Sequence, residues 1–524
     1  MRRTLLYADP QSTFLHHAIL DSCRKFGKKI ALVDTSCDPA RRLTYSEYGE
    51  LVERLAQGLV GAGLKPGEVL AIDLPNSWEF AIAYHAATLA GAIPTLLNPS
   101  YREREVRYQL ENSCAAMLIS DGCVLKGISL SGLPGLRQVF ATRQHISGAL
   151  DFSDLLRATR NSLPSSQRSA EQELAALPYS SGTTGLPKGV MLSHYNLVAN
   201  VFQLIGPGAT PFEEDDVLLC FLPLYHIYGL NVVLNPTLVI GGTVVLAPRL
   251  DVQQAARLIS EEGISAMPCV PPMLNAFAQA AERGLFPKEH AVRWVKSGAA
   301  PLAPDLARRF TALTGIPIMQ GYGMTEASPV THVGFIEPAR YRPESIGPPV
   351  AQTDCRILDE SDREVAAGER GELVMRGPQF MLGYWKDPQA TAAVLREGWY
   401  WSGDIASRDA DDFYYILDRR KEMIKYKGFP VAPAEVEAVL LEHPAVRDCG
   451  VVGKHDDGAG ELPCAFVVLR EGYAADDGMA SELCGFVAER LSGYKQPREV
   501  QFVSAIPRTL SGKILRRELR SLVS

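Results

Sequence analysis

Tyr179-Ser180-Ser181-Gly182-Thr183-Thr184-Gly185-Leu186-Pro187-Lys188-Gly189-Val190 follows directly on a short apolar run at 174–177. Five hydroxyls, three glycines and one lysine fall within these twelve positions. Glycines let backbone N–H groups turn toward one point, hydroxyls add donors there, and a lysine sets a compact charge against a polyphosphate. The spacing is not the Walker pattern, which closes on Gly-Lys-Ser/Thr, and it is not GxGxxG. By composition alone the stretch is equally an ordinary polar turn. Its fixed order, Ser-Ser-Gly-Thr-Thr-Gly-x-Pro-Lys-Gly, is far more specific than its composition.

Around it the chain alternates. Helical spacing predicts helices at 15–26, from Thr44 onward, at 78–90 and at 195–204; β-rich apolar runs predict strands at 30–34, 69–74, 93–97 and 217–222. Such alternation implies parallel sheets covered on both faces. Residues 124–176 are more polar, are expected to be irregular, and carry no legible function. A strand at 243–249 ends on Arg249. Three further apolar strands, at 267–272, 294–301 and 320–326, break into small residues, which let backbone approach a flat ligand. His226 stands just beyond a strand end, where ligands collect in α/β sheets, although a histidine on an apolar segment is often a satisfied core residue.

The totals bound the rest. A chain of 524 residues exceeds one ordinary domain, and 46% hydrophobic with 22% charged residues is a globular composition. The net charge of −7, without a long basic run, argues against a nucleic-acid partner. Ten scattered cysteines lack any CxxC pair, so buried thiols in a reducing compartment are expected. The apolar run after Met1-Arg2-Arg3 is too short for a signal peptide, and no stretch approaches the ~20 apolar residues of a membrane span. A cytoplasmic protein, monomer or homodimer, is expected.

The loop resembles the signature of the adenylate-forming superfamily, which includes acyl-CoA synthetases, peptide-synthetase adenylation domains and insect luciferases. Further stretches resemble that family's motifs in the same order: Pro223–Asn231, Gln320-Gly321-Tyr322-Gly323-Met324-Thr325-Glu326, Ser402-Gly403-Asp404, 417–430, and Ser511-Gly512-Lys513. The wording is most similar to the 4-coumarate:CoA ligase-like branch. The resemblance implies a large N-terminal α/β unit with stacked sheets (1–417) and a small mobile C-terminal α+β domain (418–524), hinged at Asp418. It implies ATP and Mg²⁺ as cofactors, CoA as co-substrate, and acyl-AMP as intermediate.

Carried residue by residue, Ser180, Ser181, Gly182, Thr183, Thr184 and Lys188 hold phosphates. Gln320, Gly321 and Tyr322 meet adenine, Thr325 the α-phosphate, and Glu326 the magnesium, for which a carboxylate is a suitable hard ligand. Asp404 and Arg419 take the ribose; Lys421 and Lys425 face the adenylate; Arg249, Lys427 and Gly428 face CoA. His226 gates the carboxylate pocket. Tyr228, Val232, Gly298, Ala299, Gly321, Gly323, Pro329 and Val330 line an apolar acyl slot. Lys513 grips carboxylate and α-phosphate. Lys513, His226, Lys425, Thr184 and Glu326 are the catalytic set. One departure stands out: Pro430 replaces a glutamine of the plant ligases, which touches the substrate assignment more than the reaction class. The expected acid is aromatic or arylpropenoic, 4-coumarate being an example. Alternatives are a medium- or long-chain fatty acid, a carrier-protein thiol as acceptor, and a non-catalytic nucleotide sensor.

Overall fold

The computed structural model describes residues 13–157, 161–164, 169–180, 186–419, 422–427, 429–456, 459–509 and 512–523. Local signals set the first elements. Thr44 and Glu47 form a capping box that starts the helix Tyr45–Gly61, whose Tyr48, Val52, Leu55 and Leu59 turn inward. The helix Leu15–Phe26 carries its apolar residues on one face, whereas Trp78–Leu89 is buried almost all round. A helix apolar on every side belongs inside a layered core. Trp78–Leu89 lies there, touching strands of both major sheets.

The first of those sheets has eight strands, in the order Val330–Val333, Ile318–Gly323, Trp294–Ser297, Ala266–Cys269, Val217–Cys220, Thr243–Leu246, Ile30–Asp34 and Arg41–Thr44. Its central pairings are parallel and the outermost pairing at each edge is antiparallel. The second, five-stranded sheet is parallel throughout, running Ile93–Leu96, Val69–Asp73, Ala115–Asp121, Gln138–Thr142 and Leu150–Asp151. Two antiparallel sheets, one centred on Arg370–Arg376 and Trp399–Arg408 and a smaller one on Lys188–Ser193, complete the large unit. Five strands ending with Glu499–Phe502 build the small C-terminal domain, where apolar clusters around Val451 and Phe466 are separate from the main core.

The structure corrects three expectations. The stretch 124–176 is not irregular: it holds the strands Gln138–Thr142 and Leu150–Asp151 and the helix Phe152–Arg157. The strand expected to reach Arg249 stops at Leu246, because Pro248 has no N–H with which to extend the ladder. Arg249 is left exposed beyond it. The strand expected at 267–272 is Ala266–Cys269, and Pro271 already opens the helix Pro271–Glu282, at a position where its missing N–H costs nothing. All ten cysteines are free, and among the described residues no helix is long and apolar enough to cross a membrane.

The small domain is held by one buried charge cluster. Arg516 donates to Glu422 at 2.8 Å and to both oxygens of Glu437 at 2.7 Å, all three side chains being nearly enclosed. Arg516→Leu would leave two buried carboxylates uncompensated, a loss of about 3–5 kcal/mol. Amide exchange in Val446–Asp456 and Gly460–Leu469 should then accelerate strongly while the eight-stranded sheet stays protected; equal protection to wild type would show that the cluster carries no such weight.

Candidate active site

Ser180 and Lys188 are cross-strand partners, so the stretch quoted first is a hairpin with stems Tyr179–Ser180 and Lys188–Ser193. Ser181, Gly182, Thr183 and Thr184, which separate these stems in the sequence, lie outside the described residues, as do Lys421 and Gly428. Lys188 sits 3.4 Å from Asp387 and 5.2 Å above the Tyr384 ring.

Glu326 begins where the strand Ile318–Gly323 gives way to the short turn Thr325–Ala327, beside half-buried Thr325. Its carboxylate is buried and accepts from Ser180 Oγ at 3.1 Å and from Tyr384 Oη at 2.8 Å, both at Oε1. No cation pairs with it within 4 Å among the described residues. A buried carboxylate that has hydroxyl donors but no counter-charge fits a hard cation. No cluster of three metal-binding side chains occurs among the described residues, which suits an ion whose remaining ligands are phosphate and water.

Asp404 is reached from two directions. Tyr322 Oη donates to its Oδ2 at 2.5 Å, and Arg419 Nε lies 3.1 Å from Oδ1. The antiparallel pairing of Trp399–Arg408 with Tyr414–Arg419 makes Asp404 and Arg419 direct cross-strand neighbours. Asp418, one residue earlier, accepts from its neighbour's N–H and from Ala434 N–H at the start of the helix Pro433–Glu442; burial pushes its carboxyl up to about 7.

Of the residues expected at the acyl slot, two groups are in contact, Gly298 with Tyr228 and Gly323 with Pro329 and Val330. Gly298 faces the Tyr228 ring so closely that a Cβ there would stand 3.2 Å from it. Gly323 lies against the Pro329 and Val330 backbone, where a Cβ would reach 2.0 Å. Val232 is fully buried in a π-helical turn, Gly229–Leu234, a geometry frequent at functional sites. Tyr228 Oη is spent on the carbonyl of Lys296, at 2.9 Å. Ala299 is exposed, with φ at 69°, and Gln320 is tied to the carbonyl of Pro343. His226 Nδ1 accepts from Tyr228 N–H at 3.2 Å, and burial lowers its pKa to about 4. The imidazole is therefore neutral at pH 7 and keeps its proton on Nε2.

From the C-terminal tail, Lys513 comes within electrostatic range of Arg419, Asp404 and Glu326. Burial, then Arg419, lowers its pKa to about 8, against the pull of Glu422, Asp404 and Glu326. Gly512 beside it abuts Pro272 of the large unit. Lys425 and Lys427 are exposed and are not brought to the site.

Sequence reasoning missed two residues. Gly383-Tyr384-Trp385 shows no chemistry in the sequence, yet Tyr384 touches Glu326 directly. Lys296, a charged residue inside an apolar strand, was a visible signal passed over. It is 1% exposed, donates to Thr210 Oγ1 at 2.9 Å and pairs with no carboxylate among the described residues. Its stem runs beside Gly321, where a Cβ would lie 2.9 Å from Lys296 Cε, and burial lowers its amine to about 7.

The chain is similar to known proteins over nearly its whole length. The family model "AMP-binding enzyme" matches residues 19–385, and "AMP-binding enzyme C-terminal domain" matches 435–513. A 4-coumarate–CoA ligase of Vanilla planifolia is 38% identical over 98% of this chain and 94% of its own length. ATP-bound MatB from Rhodopseudomonas palustris superposes with a TM-score of 0.87 at 28% identity, covering 97% of this chain and 98% of that one. The anthranilate CoA ligase AuaEII, in complex with anthranoyl-AMP, gives 0.88 at 26% identity, with 98% of each chain covered.

The lowered pKa of Lys513 has a sign that can be measured. Its ammonium is charged below about 8 and neutral above. In pyrophosphate release, kcat/KM for ATP reports groups of the free enzyme and should fall as pH rises through about 8. Lys513→Arg, which keeps its charge, should abolish that fall even if its rate is lower. A wild-type profile flat to pH 9.5 would exclude Lys513 as the titrating group.

Proposed function

Because the chain belongs to the AMP-binding enzyme family, and is an ATP-dependent acid–CoA ligase within it, we propose that its acyl substrate is an aromatic, arylpropenoic acid and that the residues above divide two half-reactions. In the first, a carboxylate oxygen of the acid attacks the α-phosphorus of ATP. The bond to pyrophosphate breaks and acyl-AMP forms. In the second, the CoA thiolate attacks the acyl carbon and AMP leaves. A carboxylate alone acylates poorly because its leaving group would be oxide; adenylation replaces oxide by AMP.

The protein's task in the first step is to hold the groups in line and neutralise charge. Lys188 and the loop hydroxyls take the departing phosphates. Lys513 bridges the acid and the α-phosphate. The neutral His226 offers Nε2–H to the acid's carboxylate without adding a charge. Asp404, already oriented by Tyr322 and Arg419, accepts from the ribose hydroxyls. Glu326 would hold magnesium, which when bound neutralises phosphate charge as a Lewis acid. ATP, acid and CoA are the partners; a cytoplasmic location fits this soluble chemistry.

The observation that carries the substrate assignment is the slot itself. Gly298 packs against the flat Tyr228 ring, and the Lys296 stem passes Gly321 with its amine donating to Thr210. A flat ring stacks on such a surface better than a long flexible chain, and a buried amine with donors left over suits a polar substituent on the ring. A pyrophosphate-release screen over benzoates, cinnamates and C6–C16 fatty acids tests this. Hydroxylated cinnamates should lead, and Lys296→Leu should cut their advantage over unsubstituted cinnamate roughly tenfold. Better turnover of palmitate than of any aromatic acid would overturn the assignment.

The half-reactions should also separate by mutation. Lys513 is drawn into the site while Lys425 and Lys427 are exposed, so one arrangement of the small domain serves adenylation and a second, reached by pivoting at Asp418 between units 1–417 and 418–524, serves thioester formation. Lys513→Ala should lose pyrophosphate release by a hundredfold or more, on the order of a charge-stabilising donor, yet convert supplied acyl-AMP. Gly428→Trp should do the reverse, obstructing CoA. Equal loss of both half-reactions in both variants would refute the pivot.

A further inference from the structure

We propose that Tyr384 is a positioning residue for Glu326, fixing which carboxylate oxygen faces the metal. The inference rests on the reading of Glu326 as the magnesium ligand. Tyr384 Oη donates to Glu326 Oε1 at 2.8 Å, and Ser180 Oγ donates to the same oxygen at 3.1 Å. Both donors fall on one oxygen, and among the described residues none donates to Oε2, the oxygen we assign to the cation. A hydroxyl is the donor type this task needs. An arginine or lysine would orient the carboxylate equally well, but it would also cancel the charge the metal requires.

The backbone fixes the tyrosine in turn. Met381 N–H donates to the Glu326 carbonyl at 2.8 Å, Leu382 N–H to Met191 at 2.9 Å, and Trp385 N–H to Gly189 at 2.8 Å. Gly383, with φ at 147° and Thr391 2.9 Å from where a Cβ would stand, lets the chain turn between these bonds. The segment is thus latched to the metal-ligand turn on one side and to the hairpin strand on the other. The Tyr384 ring lies 5.2 Å below Lys188, and Asp387, three residues on, pairs with that lysine at 3.4 Å. One short segment therefore sets the carboxylate for the metal and the lysine for the phosphates.

Binding without turnover tests the proposal. Mn²⁺ replaces Mg²⁺ as the probe, and its paramagnetic resonance reports Mn²⁺·ATP on the full-length protein; AMP binding in the presence of a chelator reports the nucleotide pocket alone. Tyr384→Phe, which removes one hydroxyl, should raise the Kd for Mn²⁺·ATP roughly tenfold and leave the Kd for AMP within twofold. In a Glu326→Gln background, Tyr384→Phe should cost nothing more, because the carboxylate it positions is gone. Wild-type Mn²⁺·ATP affinity in Tyr384→Phe, equal weakening of AMP, or a full effect persisting in the Glu326→Gln background would each overturn the role. If Glu326→Gln itself binds Mn²⁺·ATP like wild type, the reading of Glu326 fails instead, and the two failures are distinguishable.

Discussion

Asp404 ties three parts of the chain to one point. Its carboxylate takes Tyr322 from the end of the eight-stranded sheet and Arg419 from the last strand before the small domain, and Asp404 itself belongs to the antiparallel sheet. A buried carboxylate is costly unless it is paired and hydrogen-bonded, and here both conditions are met by residues of different layers. The arrangement of the sheets around the site is therefore coupled to the satisfaction of one charge. Arg419 then transmits the constraint outward: it lies at the strand end from which the chain enters the small domain, and the same guanidinium helps to depress Lys513 when that domain returns its tail to the site.

The remaining charges follow a consistent pattern. Among the described residues Glu326 has donors but no cation, Lys513 is a cation drawn among carboxylates without a close pair, and Lys188 is held only loosely by half-exposed Asp387. On the proposed reading, a polyphosphate with a divalent ion would supply charges of both signs to these groups. The structural cluster of Arg516 with Glu422 and Glu437 is built differently, with each partner matched and enclosed. A closed charge cluster holds a domain; an open one awaits a ligand.

Much of this was legible before the coordinates. The helix Leu15–Phe26 and the strand Ile30–Asp34 have their expected bounds, since helical and strand periodicity are local signals. The hairpin character of 179–190 and the meeting of Asp404 with Arg419 were not legible, because both depend on cross-strand register. The error at Arg249 came from extending an apolar run through Ala247-Pro248 without weighing the lost N–H. Tyr384 was missed for a different reason. Its hydroxyl acts on a residue 58 positions earlier, and Gly-Tyr-Trp has no local chemistry that would announce such a partner.

The two lysines just past Asp418 sharpen this distinction between local and assembled signals. In sequence, Lys425, Lys427 and Lys513 are alike: each is a cation in a stretch that resembles a family motif. In the fold they diverge, Lys425 and Lys427 standing exposed on and beside the strand Ile424–Tyr426 while Lys513 is drawn in next to Arg419. Their positions follow from topology. The strand Ile424–Tyr426 pairs with the small domain's own Gly460–Leu469, whereas the tail folds back so that Gly512 abuts Pro272 of the large unit. Bringing Lys425 to the adenylate would require the whole small sheet to turn, since the strand's backbone is bonded into it. A residue locked in one rigid body gains access to a site in another only by motion of the body, and the weakly compensated Lys513 contact is the kind that permits such motion.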